Sequence, residues 1–400
     1  MYPKESEYLI FFPPNPNTPR VLLGWGRLRE FVCKEPEQIS ELENWIKQSK
    51  GEVFGYISYE AKYIFEPQQY LIPGKEDSQL MYFFEPENLW EFKKKKWCCL
   101  RGNARIETVE QFIADFNSNK QKIKNIEVQC EENEIEYQKK LQEIQENIQS
   151  GNYYETNFCI PFSGKGEVEN GLAHFAFINS LTEAPHAIYF RNLSHEIWCT
   201  SPERYIQKIG KKLISQPIKG TIRRGLNDEE DRLLKQQLVE SKKERSENIM
   251  IVDLVRNDLS RIAKKGSVRV DELCDCKTFK NLHHLVSTVS CEIEEKTTFT
   301  NILKATFPMG SMTGAPKISA VKHMEKLELK PRGIYSGSFG WIAPTGDFDF
   351  NVIIRSVVVS RTKKEISFHV GSAITRESAS GNEFEECMLK ARTTLSLFES

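Results

Sequence analysis

One lysine occupies the most chemically suggestive position in this chain. Lys219 lies in the segment Gln216-Pro217-Ile218-Lys219-Gly220-Thr221, with no charged residue beside it. Residues 212–218 predict a short strand that Pro217 and Gly220-Thr221 bring to a stop. Desolvation at the end of such a strand lowers the pKa of a lysine amine, which can then act as a nucleophile near neutral pH. The alternative is a lysine whose ammonium reaches solvent from the strand end.

Several carboxylates could share a site with this lysine. Glu203 stands in a tight turn at a strand end, and Glu247 begins an apolar, core-facing helix. Glu383 and Glu386 are three residues apart, which places them on one face of the predicted final helix. Glutamate pairs without Cys or His are hard oxygen ligands of the kind that suits Mg²⁺. The sequence therefore indicates a metal-assisted site for a polyanion.

Further groups with binding chemistry lie in the same part of the chain. His283 and His284 alternate in a predicted strand, so at most one of them faces a given cleft. Arg355 lies inside an apolar run, where it either faces water from an edge strand or forms a fork for a carboxylate. Glycine-rich residues 310–314 precede a predicted helix and offer N–H groups to an anion. A Walker nucleotide site is not indicated, because the Gly-Lys-Ser/Thr sequence is missing.

The overall composition limits the classes of partner. The 55 basic and 56 acidic residues give a formal net charge of −1, which favours neither nucleic acid nor an anionic membrane. Ten cysteines occur without a CxxC pair, which is typical of reduced thiols, and no pair at zinc spacing completes a metal site. No apolar leader follows Met1, so we expect a cytoplasmic protein.

The order of the predicted elements favours an α+β fold. Residues 1–126 alternate aromatic-rich strands with polar helices, and a charged stretch between residues 117 and 134 is the best candidate for a boundary. Apolar residues at helical spacing predict a helix from Glu134 to Ser150, and another is expected over residues 381–397. Strands in hairpins mixed with helices are typical of α+β proteins.

The region 137–398 resembles the chorismate-utilising enzymes. It contains the motifs of that family in the right order, and they are Ser201-Pro202-Glu203-Arg204, Pro217-Ile218-Lys219-Gly220-Thr221, Glu247 to Leu254 with Arg256-Asn257-Asp258, His284-Leu285-Val286-Ser287, Gly314-Ala315-Pro316-Lys317, Arg332-Gly333-Ile334-Tyr335, Ile354-Arg355-Ser356 and Glu383 to Ala391. Anthranilate synthases typically have alanine where this chain has Lys219. A lysine there is similar to component I of the aminodeoxychorismate synthases.

The resemblance implies a fold and a metal. The fold is a large two-sheet β sandwich flanked by helices, in which residues 1–126 pack into the same sandwich and residues 134–400 form the chorismate-binding catalytic region. Glu247 and Glu386, with Glu383 nearby, would hold Mg²⁺ against the ring carboxylate of chorismate.

The resemblance also implies a reaction. Lys219 would add at C2 of chorismate as the C4 hydroxyl leaves, with Glu203 as the general acid, and ammonia would then add at C4 and expel the lysine. The product is 4-amino-4-deoxychorismate, an intermediate on the route to p-aminobenzoate and folate. Glu203 must stay protonated to act, so its pKa is expected to be raised.

The remaining residues carried over from the family would hold the substrate. Arg355 and Tyr335 would grip the enolpyruvyl carboxylate, and His284 would line the ring near the leaving hydroxyl as a third catalytic candidate. The other substrate-binding candidates are Thr221, Gly314, Gly371, Ser372 and Lys390.

The resemblance also bears on the source of ammonia and on the alternative functions. No Gly-x-Cys-x-Gly nucleophile of a glutamine amidotransferase occurs in these residues, so ammonia is expected from a separate subunit. The alternatives are anthranilate synthase component I, isochorismate or salicylate synthase, and a non-catalytic chorismate-binding protein.

Overall fold

A computed structural model describes residues 2–66 and 79–399 of the chain. Ten α-helices lie in these residues: α1 (Ile39–Lys47), α2 (Lys62–Phe65), α3 (Ile106–Ser118), α4 (Glu134–Gln149), α5 (Gly171–Thr182), α6 (Asp228–Glu240), α7 (Lys242–Ser260), α8 (Phe299–Thr306), α9 (Lys317–Leu327) and α10 (Ser380–Leu395). No helix in this part of the chain has both the length and the apolar character needed to cross a membrane.

The same residues contain 21 strands: β1 (Leu9–Phe12), β2 (Val21–Trp25), β3 (Arg29–Cys33), β4 (Val53–Ile57), β5 (Met81–Glu85), β6 (Asn88–Lys93), β7 (Lys96–Arg101), β8 (Gln129–Cys130), β9 (Glu155–Lys165), β10 (His186–Arg191), β11 (His195–Ser201), β12 (Arg204–Ile209), β13 (Lys212–Gln216), β14 (Ile218–Arg223), β15 (Arg269–Thr278), β16 (Leu282–Glu292), β17 (Gly314–Ala315), β18 (Ser338–Ile342), β19 (Phe348–Asn351), β20 (Ser356–Ser360) and β21 (Glu365–Thr375).

These strands form two large antiparallel sheets. The first has the order β17-β9-β21-β20-β11-β10-β1-β2-β6-β7, with β8 beside β9, and the second has the order β14-β16-β13-β12-β19-β18-β4-β5-β3, with β15 beside β16. Aromatic residues of both sheets share one buried cluster, in which the rings of Phe190 and Phe339 lie 5.2 Å apart. The α+β class and the two-sheet sandwich flanked by helices are therefore confirmed.

The first hundred residues contribute strands to the interior of both sheets. β1 pairs with β10 on one side and β2 on the other, and β4 pairs with β18 and β5. In each sheet these strands form one block at the end of the strand order, beyond β10 in the first sheet and beyond β18 in the second, so this part of the chain extends both sheets of the sandwich.

The helices predicted from periodicity are present. α4 begins at Glu134, where the Asn133 side chain accepts a hydrogen bond from the Glu136 N–H as an N-cap. Its apolar stripe is buried as expected, with Tyr137, Leu141, Ile144 and Ile148 inward.

The strand predicted to end at Lys219 is instead two strands. Pro217 ends β13 at Gln216, but the chain resumes as β14 at Ile218, so Lys219 is the second residue of a new strand. The continuation is possible because the Pro217 carbonyl accepts a hydrogen bond from the Ser287 N–H on β16, which pairs with both strands. Gly220, at φ +91°, absorbs a shift in register beside Lys219.

The apolar run around Arg355 is also interrupted. Arg355 lies between β19 and β20 with φ +51°, so the apolar run is not one continuous strand. Thr200 fixes the break, because its N–H and its hydroxyl donate to the Arg355 carbonyl at 3.0 and 2.9 Å. Arg355 is therefore not a residue of an edge strand.

We expect the Phe11→Ala variant to lose about 3–5 kcal/mol of the free energy of unfolding. Phe11 on β1 is fully buried, and its ring meets those of Phe112 and Phe116 edge-on at 5.2 and 4.9 Å. Urea denaturation measures the change. The control is Phe92→Ala, because Phe92 is 38% exposed and should cost under about 1 kcal/mol. Equal losses in the two variants would contradict this account of the core.

Candidate active site

The amine of Lys219 lies inside the protein, opposite a carboxylate from the other sheet. Its side chain is 12% exposed, and Nζ lies 2.9 Å from Oε1 of Glu155, which is 1% exposed. Lys219 stands on β14 of the second sheet and Glu155 begins β9 of the first. The site therefore forms where the two sheets of the sandwich approach each other. Sequence reasoning did not predict Glu155.

The charge state of Lys219 differs from the sequence-based expectation. Burial by itself lowers the pKa of this amine, but the carboxylates of Glu155, Glu247 and Glu203 together raise it above the ordinary value. The predicted lowering is therefore wrong in this structure, because it did not include the carboxylates that the fold collects around the amine. Lys219 is held here as an ammonium.

Glu203 has the environment expected of a general acid. The residue is 3% exposed, and burial raises the pKa of its carboxyl to about 7, although the Ser311 hydroxyl and Lys219 act in the opposite direction. The backbone of Glu203 is fixed at both ends, because its N–H donates to the Ser201 hydroxyl at 3.2 Å and its carbonyl accepts from the Val352 N–H at 3.1 Å. The expected rise in the pKa of Glu203 is present.

His284 is a neutral imidazole fixed from one side. Its Nδ1 lies 2.8 Å from the Thr221 hydroxyl on the paired strand β14. Burial, with the Arg355 charge, lowers its pKa to about 3. His283 faces the other way, with Nε2 3.0 Å from Asp231. The prediction that the two histidines face opposite sides of the strand is confirmed.

The predicted metal-binding carboxylates surround one lysine. Lys243 interacts electrostatically with Glu247, Glu383, Glu244 and Glu386, which come from α7 and α10. Burial raises the pKa of Glu247 to about 7. Burial acts in the same direction on Glu386, but the nearby lysines outweigh it and lower the pKa of that carboxyl.

These carboxylates are held by protein groups in this structure. Glu386 is paired with Lys390, and the Ser372 hydroxyl donates to Glu383. As they stand, no three His, Cys, Asp or Glu side chains of residues 2–66 and 79–399 converge as a metal site. The donor set nevertheless fits Mg²⁺, because it consists of carboxylate oxygens that already share one cation, Lys243.

The predicted substrate-binding residues lie around the same centre. Arg355 is half-buried and lies near Tyr335 and Glu386, while burial lowers the pKa of its guanidinium. The Tyr335 ring stacks on that of His369, with centroids 5.2 Å apart. Lys390 Nζ donates to the Gly371 carbonyl at 2.9 Å, which places the last helix against β21.

Two predicted glycines allow close backbone approach. A Cβ on Gly371 would lie 2.8 Å from the Cys159 sulphur, and one on Gly314 would lie 2.3 Å from the Glu155 carbonyl. Gly314 pairs with Thr156, which follows Glu155 in β9. The glycine-rich segment therefore fixes the backbone that carries Glu155, and side chains larger than hydrogen would displace it.

Two further residues that position the site were not predicted as site residues. Asn248 is buried and donates to the carbonyls of Lys219 and Leu285, at 3.2 and 3.1 Å. Arg332 is buried and donates to the carbonyls of Met312 and Asn157. The available signal for Asn248 was a polar residue at the edge of the apolar run 249–252, and no comparable signal marks Glu155, which lies between Tyr154 and Thr156.

Comparison with known proteins indicates a family. Residues 9–396 match the profile of a family described as chorismate binding enzyme. The chain is 36% identical over 304 residues to a probable chloroplastic aminodeoxychorismate synthase of Oryza sativa subsp. japonica, covering 75% of this chain and 33% of that protein. It is 34% identical over 251 residues to aminodeoxychorismate synthase component 1 of Bacillus subtilis (strain 168), covering 63% of this chain and 53% of that protein. The chain thus spans between a third and about half of the length of these relatives.

A solved structure has the same architecture. The crystal structure of anthranilate synthase component I from Streptococcus pneumoniae TIGR4 matches with a TM-score of 0.80 at 21% sequence identity, covering 95% of this chain and 92% of that chain. At this level of identity the likeness establishes the fold. Because the family profile extends over almost all of its residues, the chain belongs to the chorismate binding enzyme family.

Proposed function

We propose that the chain aminates chorismate to 4-amino-4-deoxychorismate, with Mg²⁺ bound and with ammonia supplied by a separate glutamine amidotransferase subunit. The observation that carries the proposal is the buried amine of Lys219, which faces Glu155, Glu203 and Glu247 across the site. Relatives named aminodeoxychorismate synthase support the same reaction. The product would serve p-aminobenzoate and folate synthesis.

Lys219 is the proposed nucleophile and Glu203 the proposed acid. The uncharged amine forms a bond to C2 of chorismate, the ring double bonds shift towards C4, and the C4–O bond breaks. Glu203 protonates the departing hydroxyl, which leaves as water. Ammonia then bonds to C4, the double bonds shift back, and the C2–N bond breaks with its electron pair returning to Lys219. The Glu203 carboxylate takes a proton from the entering ammonia and is restored.

The charged groups around this pair would hold the substrate. Arg355 suits the enolpyruvyl carboxylate, because its half-buried guanidinium lies near Tyr335 and has no carboxylate in contact among the described residues. Glu247 and Glu386, with Glu383 nearby, would hold Mg²⁺, which supplies charge neutralisation for the ring carboxylate. His284 is neutral, so it lines the ring without adding charge.

The alternatives differ in their products. Anthranilate synthase component I and isochorismate or salicylate synthase would not need an amine nucleophile at position 219, and a non-catalytic chorismate-binding protein would give no turnover. Incubating the chain with chorismate, Mg²⁺ and an ammonium salt distinguishes them. Aminodeoxychorismate, anthranilate and salicylate each differ from chorismate in mass, whereas isochorismate is an isomer of chorismate and is separated from it by chromatography.

Lys219→Ala is expected to reduce aminodeoxychorismate formation at least roughly 10²-fold, since it removes the group that bonds to carbon. Chorismate binding should remain, because the arginine and the carboxylates stay in place. Product mass spectrometry and titration calorimetry measure the two quantities. Lys208→Ala is a matched control, because Lys208 is a strand lysine with a side chain 15% exposed that donates to Gly346. An unchanged rate in Lys219→Ala would exclude the nucleophile.

The rate should fall as the pH rises through neutrality. The pKa of Glu203 is about 7, so the acid form that protonates the hydroxyl is present below this pH and is lost above it. We expect a descending limb centred near that pH in kcat/KM for chorismate, measured with saturating Mg²⁺ and a constant concentration of uncharged ammonia. Glu203→Gln should lower the rate roughly 10²-fold and remove the limb. A limb that persists in this variant would assign it to another group.

Glu247→Gln and Glu386→Gln should each raise the Mg²⁺ concentration for half-maximal activity at least roughly 10-fold, because each removes a charged oxygen ligand. Activity against Mg²⁺ concentration measures the shift. Glu385→Gln is the control, since Glu385 precedes Glu386 in α10 and is exposed. The metal assignment fails if the control shifts the Mg²⁺ requirement as much as its neighbour does.

A further inference from the structure

The proposed reaction needs an acceptor for a proton on Lys219. The amine is held as an ammonium by the surrounding carboxylates, and an ammonium has no electron pair with which to attack carbon. Its side chain is 12% exposed, so the proton has no direct path to bulk water once a substrate covers it. A group inside the site must therefore accept the proton.

Five carboxylates, from strands and helices packed around Lys219, interact electrostatically with its amine. They are Glu155, Glu203, Glu244, Glu247 and Glu386.

Glu155 is suited to accept the proton by distance and by availability. Its Oε1 lies 2.9 Å from Nζ, a hydrogen-bond distance and the only such contact between Lys219 and a carboxylate in the described residues. Glu203 has to be protonated to release the hydroxyl, and Glu247 and Glu386 are assigned to Mg²⁺. Glu155 has no other role in the reaction.

The surroundings of Glu155 do not suit a purely structural ion pair. The side chain is 1% exposed, and its second oxygen, Oε2, has no hydrogen-bond partner among residues 2–66 and 79–399. Buried polar atoms of the fold are nearly always hydrogen-bonded, because an unpaired one costs stability. An oxygen left free beside the reacting amine is instead available for a proton.

We propose that Glu155 takes the proton from the Lys219 ammonium and later returns it, an inference that rests on the proposed function. In the first step the N–H bond breaks and an O–H bond forms, which leaves an uncharged amine and a carboxylic acid. The amine bonds to C2 and becomes a secondary ammonium, and when the C2–N bond breaks it is again an uncharged amine. Glu155 then returns its proton to Lys219. This restores the ion pair, and the two side chains together neither gain nor lose a proton over the cycle.

The test compares the amination rates of Glu155→Gln and wild type across roughly pH 7 to 9. In the variant, the lysine proton has to pass to water before chorismate binds, so only the fraction already uncharged can react. We expect the variant to be roughly 10²-fold slower at neutral pH, and the ratio of variant to wild-type rate to rise with pH. The ratio cancels the titration of Glu203 and of ammonia, which affect both proteins alike.

Further variants separate this role from a structural one. Glu155→Ala should give the same rising ratio, which keeps the test usable if the glutamine variant does not fold. Glu155→Asp retains a carboxylate and should recover part of the rate with a flat ratio. Glu132→Gln is the control, because Glu132 is a buried glutamate paired with Lys140 at 2.7 Å outside the site.

One outcome would overturn the role of Glu155, and a different one would overturn the proposed function. A ratio that stays flat with pH in Glu155→Gln and Glu155→Ala, or rates equal to wild type, would overturn the role of Glu155 while leaving the proposed function intact. A wild-type protein that forms no aminodeoxychorismate would overturn the proposed function itself.

Discussion

The buried ammonium of Lys219 and the carboxylates around it are the interaction on which the rest of the site depends. A single charge of either sign is costly to bury, and a buried pair is tolerated when its partners are close and fixed. Here the amine is paired directly with Glu155, and the charges of Glu203 and Glu247 also act on it. The pKa values of Glu203 and Glu247 are both raised to about 7, so small changes of charge in the site alter which group holds a proton.

The two sheets of the sandwich bring this pair together. Glu155 belongs to β9 in the first sheet, while Lys219 belongs to β14 in the second. Asn248 holds the backbone of Lys219 from α7, and Gly314 lets β17 pair closely with the start of β9. The fold therefore places two strand segments, each fixed by a different neighbour, with their side chains meeting at hydrogen-bond distance.

Local sequence patterns predicted the helices and strands, but they did not predict contacts between residues that are distant in the sequence. The apolar stripe of α4 and the opposite faces of His283 and His284 were accessible from residue type and spacing. The raised pKa of Glu203 was expected from the general-acid role that the family resemblance implies. Glu155 was not, because nothing near position 155 in the sequence indicates that it meets Lys219. The sign of the pKa shift at Lys219 was wrong for the same reason, since it depends on the number of carboxylates that the fold collects.

The proposed function also accounts for the lysines that pair with the candidate metal-binding carboxylates in this structure. Lys243 interacts with the carboxylates of α7 and α10, and Lys390 is paired with Glu386. In that proposal Mg²⁺ would bring two positive charges and chorismate two negative ones, so their joint binding would leave the charge of the site unchanged. The metal would take over the carboxylates, and the lysines released from them would face the anionic substrate. A chain with a net charge of −1 can thus bind a dianion through exchange of local ion pairs, without a positive field over its whole surface.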